Sequence, residues 1–435
     1  MTTEPIEPAE EPTGPTEEKP DESVQRAHGG LGSYLRLLRT PGAKGFSGAA
    51  FVARMPLSMI GIGSVLLIER ETGSYAIAGT VSATAAFVQS FGSPITSRLI
   101  DRHGQDKVAI PAAAASAASL VGLILAVRFH APSWTFYLFA ALAGALMPAI
   151  GSMVRARWAR IYAGTATLHT AYAFESVVDE VVFLIGPVLV TFLTTSVAPS
   201  SGLSAVAAFL ALGTLALCLQ RGTQPDPAPD RGRQGFGAIA VPVVRVLLLV
   251  FIGTGTLFGS VEVITVAFAQ EHGHESSAGL LLAVYALGSM IAGIGFGAIH
   301  VPMPLPRKLL ILLSTMAVTA ALLPLADTLW LLPVFLLLAG FTIAPTLITA
   351  FALLEDLVPA ELLTEGLTVG TTGLALGVTL GSSVGGPLID DVGAQHAYLL
   401  STGGAVAAFV LAVLLRRGLR GVDVDRGVDC RNPVS

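Results

Sequence analysis

Apolar runs of about 20 residues recur along most of the chain, separated by short polar segments. A helix of that length crosses the hydrocarbon core of a bilayer, so each run predicts one membrane span. Twelve runs fall into two groups of six. Predicted spans 1 to 6 are 46–68, 76–99, 108–129, 134–154, 167–193 and 203–220, and spans 7 to 12 are 243–269, 278–299, 309–326, 330–353, 365–388 and 397–415.

The segments outside these groups are polar and divide the chain. Residues 1–40 begin with a stretch rich in Pro and Glu that cannot bury enough apolar surface to fold, so we interpret them as a disordered acidic tail. Residues 41–220 and 243–415 are the two predicted bundles, and residues 221–242 link them. Residues 416–435 form a second polar tail. The pattern predicts an all-α membrane protein of two pseudo-symmetric six-helix bundles.

Composition excludes several classes of protein. Charged residues make up 13% of the chain, against about 25% in soluble globular proteins, and hydrophobic residues make up 53%. Acidic residues far outnumber basic residues in the first tail. The rest of the chain offers no basic face that could bind nucleic acid. The two cysteines are far apart, and no ATPase phosphate loop is present. We therefore predict no enzyme activity, no cofactor and no metal site.

Basic residues are distributed unequally between the predicted loops. If both tails lie on one side, only Arg70 and Arg128 fall in loops on the other side, and Arg54 lies within span 1. Loops that face the cytoplasm carry an excess of Lys and Arg. The distribution predicts that both termini are cytoplasmic, and the preference for Arg over Lys is typical of a GC-rich bacterium. We expect a multi-pass protein in the lipid bilayer of a bacterial inner membrane.

The two halves repeat one another, which indicates duplicated six-helix units. Glycine, proline and tryptophan recur in the same order at offsets close to 200 residues. Gly73 and Gly79 recur as Gly273 and Gly279, Gly186-Pro187 recurs as Gly386-Pro387, Pro148 matches Pro345, and Trp134 matches Trp330.

The loop between spans 2 and 3 carries the most specific motif. Its sequence is SRLIDRHGQDK, in which Asp101, Arg102 and Gly104 match the pattern G-x-x-x-D-R-x-G-[RK]-[RK]. Gln105 and Asp106 replace the usual basic pair. On this loop and the twelve-span pattern, the chain after residue 40 resembles the major facilitator superfamily. The resemblance implies a monomeric transporter that binds a small molecule in a central cavity and works by alternating access.

The resemblance also implies two local roles. The loop would be a cytoplasmic gate latch, with Asp101 near the start of span 11, where the positive end of the helix dipole favours a carboxylate. Gly186-Pro187 in span 5 resembles part of a motif found in antiporters of the superfamily, although Val182 and Val190 stand near where its flanking glycines would be.

Five charged residues lie inside the predicted spans and away from the span ends, and such residues face a bundle interior or a wet cavity. They are Arg54 in span 1, Glu175, Asp179 and Glu180 in span 5, and Glu262 in span 7. Glu175 and Asp179 are four residues apart and share a helix face, whereas Glu180 points about 100° away from Asp179. Arg54 lies at a depth similar to Glu175, so it can pair with either residue on that face.

These residues support alternative hypotheses. In the first hypothesis, Asp179 or Glu180, with Glu175 as a third candidate, binds a proton, and the proton affinity of that carboxylate changes with its distance to Arg54. Alternatively, the same charges form a permanent structural network, or they bind a substrate cation. Glu262 binds a proton or a cationic substrate, or it is a gate contact near the outer rim.

Other residues of the spans are candidates for lining or packing roles. Gln89 and Tyr285 line the path or form interhelical hydrogen bonds. Four glycines of span 11 at i, i+4 spacing predict close helix approach on one face. They are Gly373, Gly377, Gly381 and Gly385.

Taken together, these features favour proton-coupled export of a small organic molecule, such as a drug or metabolite. A proton symporter or facilitator that imports a nutrient is the alternative within the same class. A non-transporting membrane sensor is the alternative from another class, and the short loops argue against it because they leave no room for a sensory domain.

Overall fold

The computed structural model describes residues 31–163, 165, 167–227, 239, 241–298, 303–358 and 362–415. Most of the predicted tails and of the linker therefore lie outside the described residues. Residues Leu31–Leu38 form a helix, so the predicted disordered tail 1–40 extended too far. This helix is held in place because Leu37 is buried in a cluster with Phe46 and Trp158.

Twelve helical spans follow at the predicted places. In the first half they are Ala43–Thr72, Tyr75–His103, Gln105–Arg128, Trp134–Leu146 with Ile150–Tyr162, Thr167–Phe192 and Ser201–Cys218. In the second half they are Pro242–Glu271, Ala278–Ala298, Leu305–Ala320, Leu332–Gly340 with Ile343–Leu357, Leu363–Val392 and Ala394–Leu414. In the described part of the chain, eleven helices are long and apolar enough to cross a membrane. Span 2 falls short because it is rich in Ser, Thr and Gly.

Spans 4 and 10 are each broken near the middle, which the apolar pattern did not predict. The break in span 4 lies at residues 147–149, where Pro148 lacks a backbone donor. Nearby hydroxyls bond backbone carbonyls beside both breaks. Ser116 Oγ donates to the carbonyl of Ala143 at 2.7 Å, and Thr342 Oγ1 donates to that of Ala339 at 2.7 Å. Broken helices persist in a membrane when other groups replace the lost backbone bonds.

The two halves meet along two equivalent crossings, span 2 with span 11 and span 5 with span 8. We call the end of the bundle where span 1 begins and span 12 ends the termini end, and the opposite end the far end. Glycines make the far parts of both crossings close. A Cβ on Gly79 would lie 2.5 Å from the carbonyl oxygen of Ser382, and one on Gly279 would meet the carbonyl of Pro187. Backbone therefore packs on backbone between the halves.

The predicted glycine ladder packs inside the second half. Cβ atoms on Gly373, Gly377 and Gly381 would collide with span 7, so these glycines let spans 7 and 11 approach closely. Gly385 does not belong to this contact, because a Cβ there would meet nothing nearer than 3.8 Å. The prediction of a close approach at Gly385 was wrong. Its neighbour Gly386 instead packs on span 2.

Gly186 and Pro187 lie within span 5, and Pro387 lies within span 11, without interrupting either helix. A Cβ on Gly186 would overlap the hydroxyl of Ser58, so this glycine packs span 5 against span 1. Gly104 separates spans 2 and 3 by a single residue with φ +102°, a conformation that only glycine adopts without strain.

Candidate functional site

A cavity of about 610 Å³ lies between the two halves, and spans 1, 2, 5, 7, 8, 10 and 11 all contribute to its wall. It extends toward the termini end as far as Pro94 on span 2 and Thr371 on span 11. Among the described residues that line it, the charged side chains are Glu180 and Glu262, one from each half. Neither carboxylate forms an ion pair with a described residue. The cavity is therefore negatively charged when both acids are ionised.

One face of span 7 forms much of the cavity wall. Thr254, Phe258 and Glu262 follow one another at four-residue intervals, so all three lie on the same side of the helix and all three line the cavity. The Phe258 ring contacts Phe183 of span 5, with centroids 6.4 Å apart, and Tyr285 of span 8, with centroids 6.1 Å apart. Three aromatic rings thus bridge the two halves beside a carboxylate.

Both predicted polar residues of spans 2 and 8 line this cavity. Gln89 also makes an interhelical contact, because its Nε2 donates to the sulfur of Met147 at 3.1 Å, in the break of span 4. Tyr285 is 5% exposed, and its hydroxyl has no hydrogen-bond partner in the described part of the chain. Thr254 is 1% exposed, and no described residue forms a hydrogen bond with its hydroxyl.

Arg54 lies in a buried ion-pair network beside the cavity. Its guanidinium contacts Glu175 at 2.6 Å and Asp179 at 3.1 Å. Arg155 of span 4 contacts the other oxygen of Asp179 at 2.8 Å. Trp158, one turn further along span 4, donates its indole N–H to Glu175 at 2.6 Å. Two arginines therefore balance two carboxylates, and the network joins spans 1, 4 and 5.

The network contains the pairing that helical spacing indicated, together with two residues that the sequence did not reveal. Arg155 and Trp158 escaped prediction because the apolar run of span 4 ends at residue 154, whereas the helix continues to Tyr162. Glu180 is separate from the network, since the turn of the helix directs it into the cavity. The three acids of span 5 thus occupy two different environments.

Polar contacts close the cavity at the far end. Gln270 of span 7 donates to Glu69 of span 1 at 2.9 Å and accepts a hydrogen bond from the hydroxyl of Tyr75 on span 2. Asp390, near the end of span 11, accepts from the backbone N–H groups of Tyr75 at 3.1 Å and Ala76 at 2.8 Å. The hydroxyl of Ser74 adds a third bond at 3.1 Å. A carboxylate of one half thus caps the helix N-terminus of the other.

Replacing Asp390 with Ala is expected to shift the protein toward states that are open at the far end. Loss of a helix cap costs about 1 kcal/mol, which corresponds to about a fivefold change in population. The measurement uses Ser64→Cys, in the cavity wall, with Cys218 and Cys430 replaced by Ser. A membrane-impermeant maleimide applied from the far side should label Ser64→Cys faster in the Asp390→Ala variant.

Asp391→Ala is the matched control for this experiment. Asp391 is the next residue, also exposed, and it makes no hydrogen bond or ion pair with the described residues. Equal labelling rates in the two variants would show that the cap does not hold the far end closed.

The predicted latch at the termini end is not formed with the described residues. Asp101 is exposed there and has no hydrogen-bond or ion-pair partner among the described residues, which do not include the first side chains of span 11. Arg102 is exposed at the same helix end. The two positions without their usual basic residues receive basic partners from elsewhere. Gln105 accepts from Arg157 at 2.8 Å, and Asp106 lies 3.3 Å from Arg221. An arginine therefore lies beside each of these two positions, although neither position carries a basic residue itself.

Comparisons with known proteins agree with this architecture. The family model described as Major Facilitator Superfamily matches residues 46–328 and 304–426. A search of curated proteins gives no significant match. Among solved structures, the nucleoside transporter NupG superposes with a TM-score of 0.66 at 15% identity, covering 86% of this chain and 98% of that one.

Two further structures share the fold. An auto-inhibited peptide transporter of the POT family gives a TM-score of 0.66 at 14% identity, covering 90% of this chain and 98% of the other. A D-xylose-proton symporter gives 0.64 at 14% identity, covering 88% and 97%. At this level of identity the likeness concerns the fold, and the chemistry of the cavity must be judged from the residues of this chain.

Proposed function

Because the chain belongs to the Major Facilitator Superfamily and is a membrane transporter rather than an enzyme, we propose that it exports a small organic molecule in exchange for protons. The observation that carries this proposal is the presence in the cavity between the halves of two carboxylates, Glu180 and Glu262, that have no cationic partner among the described residues. A carboxylate inside a membrane protein is costly, and it is characteristic of proton and ion pathways.

The positions of the contacts support a transport cycle by alternating access. The halves are joined at the far end by Gln270 and Asp390, and the cavity lies beneath that closure. The basic loops favour a cytoplasmic termini end, so this arrangement corresponds to the state that loads substrate from the cytoplasm. Rocking of the halves about the cavity would break the far contacts and expose the same cavity to the outside.

Glu180 is the residue that we assign to proton binding. Glu175 and Asp179 each contact Arg54, and Asp179 also contacts Arg155, so a proton on either would disrupt a balanced network. Glu180 has no such partner in the part of the chain that the structure describes, and it faces the cavity, where its proton can exchange with water in both states. The network then holds span 5 in place while Glu180 changes protonation.

The test is transport by purified protein in liposomes with an imposed pH gradient. Ethidium, chloramphenicol and fluorescein serve as cationic, neutral and anionic probes. In wild-type protein, inward proton flow should drive at least one probe outward against its concentration. In Glu180→Gln, the gradient should no longer drive uphill transport, although downhill exchange continues because the cavity still opens alternately.

Asp179→Asn is the comparison variant, since it removes a charge that belongs to the network. It should lose protein stability and activity together, without a selective loss of the response to the gradient. Uphill transport that persists unchanged in Glu180→Gln would refute the assignment. Proton and probe moving in the same direction would identify a symporter, and flux that does not depend on the gradient would identify a facilitator.

A further inference from the structure

The charge of the cavity restricts what it can bind. Its described wall contains two carboxylates and no Lys, Arg or His, so an anionic ligand would meet repulsion without compensation. A ligand with one positive charge would reduce the excess of negative charge. The remaining wall is mainly apolar and aromatic, which suits an amphiphilic body.

Glu262 is the acid with the more enclosed setting. It stands in the far half of span 7, and its carboxylate packs against the backbone of Gly61 on span 1, where a Cβ would overlap the carboxylate oxygen. No described cation pairs with it. Phe258 precedes it by one helical turn, a rise of about 6 Å, so a ligand can contact the carboxylate and the ring at once.

Two buried hydroxyls near Phe258 have no hydrogen-bond partner among the described residues. The hydroxyls of Thr254 and Tyr285 belong to residues that are 1% and 5% exposed, and neither bonds to a described residue. A buried polar group without a partner costs free energy, and in a cavity wall it offers a hydrogen bond to a ligand. Phe258 lies between them, four residues from Thr254 and in ring contact with Tyr285.

From these observations we propose that the substrate is an amphiphilic organic cation, bound with its charge at Glu262 and its apolar body on Phe258 and Phe183. This inference rests on the proposed transport function and deepens it. The two cavity acids then have separate tasks, because Glu262 holds the substrate cation and Glu180 carries the proton. An aromatic ring within about 6 Å of a cation adds to the attraction of the carboxylate.

Binding at constant pH tests the inference without any gradient. Tetraphenylphosphonium and tetraphenylborate have nearly the same shape and opposite charge. Equilibrium dialysis of detergent-purified protein should show saturable binding of the labelled phosphonium ion and, in a separate measurement without the phosphonium, no saturable binding of labelled tetraphenylborate. Glu262→Gln should weaken this binding about tenfold or more, as expected for the loss of a charged partner in a buried site.

Further variants separate a lost charge from a lost fold. Glu262→Asp keeps the charge and should retain more binding than Glu262→Gln. Phe258→Leu should weaken binding with both carboxylates intact. Glu355→Gln removes an exposed carboxylate of span 10 that lies outside the cavity, and it should bind as wild type does.

Absence of phosphonium binding, equal binding of the borate, or unchanged binding by Glu262→Gln would each overturn the inference. None of these results would affect transport driven by the pH gradient, which tests the proposed function. Conversely, phosphonium binding that depends on Glu262, in a protein indifferent to the gradient, would support the inference and refute proton coupling.

Discussion

Arg54→Met is expected to lose about 3–5 kcal/mol of folding free energy, the usual cost of removing one partner from a buried ion pair. The side chains of Arg54 and Glu175 are 2% and 1% exposed, so water cannot replace the guanidinium. Among the described residues, Glu175 would keep only the indole N–H of Trp158 as a hydrogen-bond partner. Reversible unfolding in mixed micelles with increasing SDS measures the loss.

Two variants make this prediction specific. Arg155→Met removes the other arginine of the network, which is 36% exposed, and should cost less than about 1 kcal/mol because water screens it. In the double variant Arg54→Met with Glu175→Gln, much of the loss should be recovered, since no unpaired charge remains at the buried position and the amide oxygen still accepts from Trp158. Equal losses for Arg54→Met and Arg155→Met would contradict the buried network.

The contacts of Arg54 could be predicted from the sequence because they follow from the fixed rotation and rise per residue of a helix. The spacing of Glu175 and Asp179 places both on one face of span 5, and counting residues from the span ends places Arg54 at a similar depth. Helical rotation likewise separates Glu180 from Asp179, and the structure puts Glu180 in the cavity wall. Charges in apolar spans are few, so the possible pairs were few as well.

The contacts at the far end could not be predicted from the sequence in the same way. Glu69, Gln270 and Asp390 lie at span ends, where polar residues are ordinary and signal nothing by themselves. Their roles arise from how the halves meet, as when Asp390 caps the first turn of span 2. The apolar pattern also did not predict the breaks of spans 4 and 10. Hydroxyls near the breaks bond backbone carbonyls, and such bonds do not change the hydropathy of the run.

The internal repeat of the sequence places equivalent residues at equivalent positions in the two halves of the structure. Gly79 and Gly279, paired in the sequence, occupy the two equivalent crossings between the halves. Gly73 and Gly273, the neighbouring pair, both adopt positive φ values of +68° and +74°, and Gly73 caps the end of span 1. Duplication therefore explains why small residues recur where the halves must approach and separate during transport.

Gly386→Ala should consequently prevent complete closure of the far end. Its Cβ would overlap the carbonyl oxygen of Tyr75 and lie 3.2 Å from the Cα of Ala76, and backbone atoms within a helix cannot turn aside as a side chain can. Overpacking costs about 1–3 kcal/mol, so the population of the far-closed state should fall about 5- to 150-fold. Substrate exchange in liposomes should slow, and Ser64→Cys should be labelled faster from the far side.

Gly385→Ala is a closely matched control, because the same methyl group one residue earlier meets nothing nearer than 3.8 Å. Both variants lose equal backbone freedom in the unfolded chain, so a difference between them reports the crossing alone. Equal exchange rates would show that spans 2 and 11 do not need this contact to close. Slower substrate exchange without faster far-side labelling would show that Gly386→Ala obstructs another step of the cycle. Slower exchange together with faster labelling would identify the Gly386 crossing as the closure that alternating access must form and break.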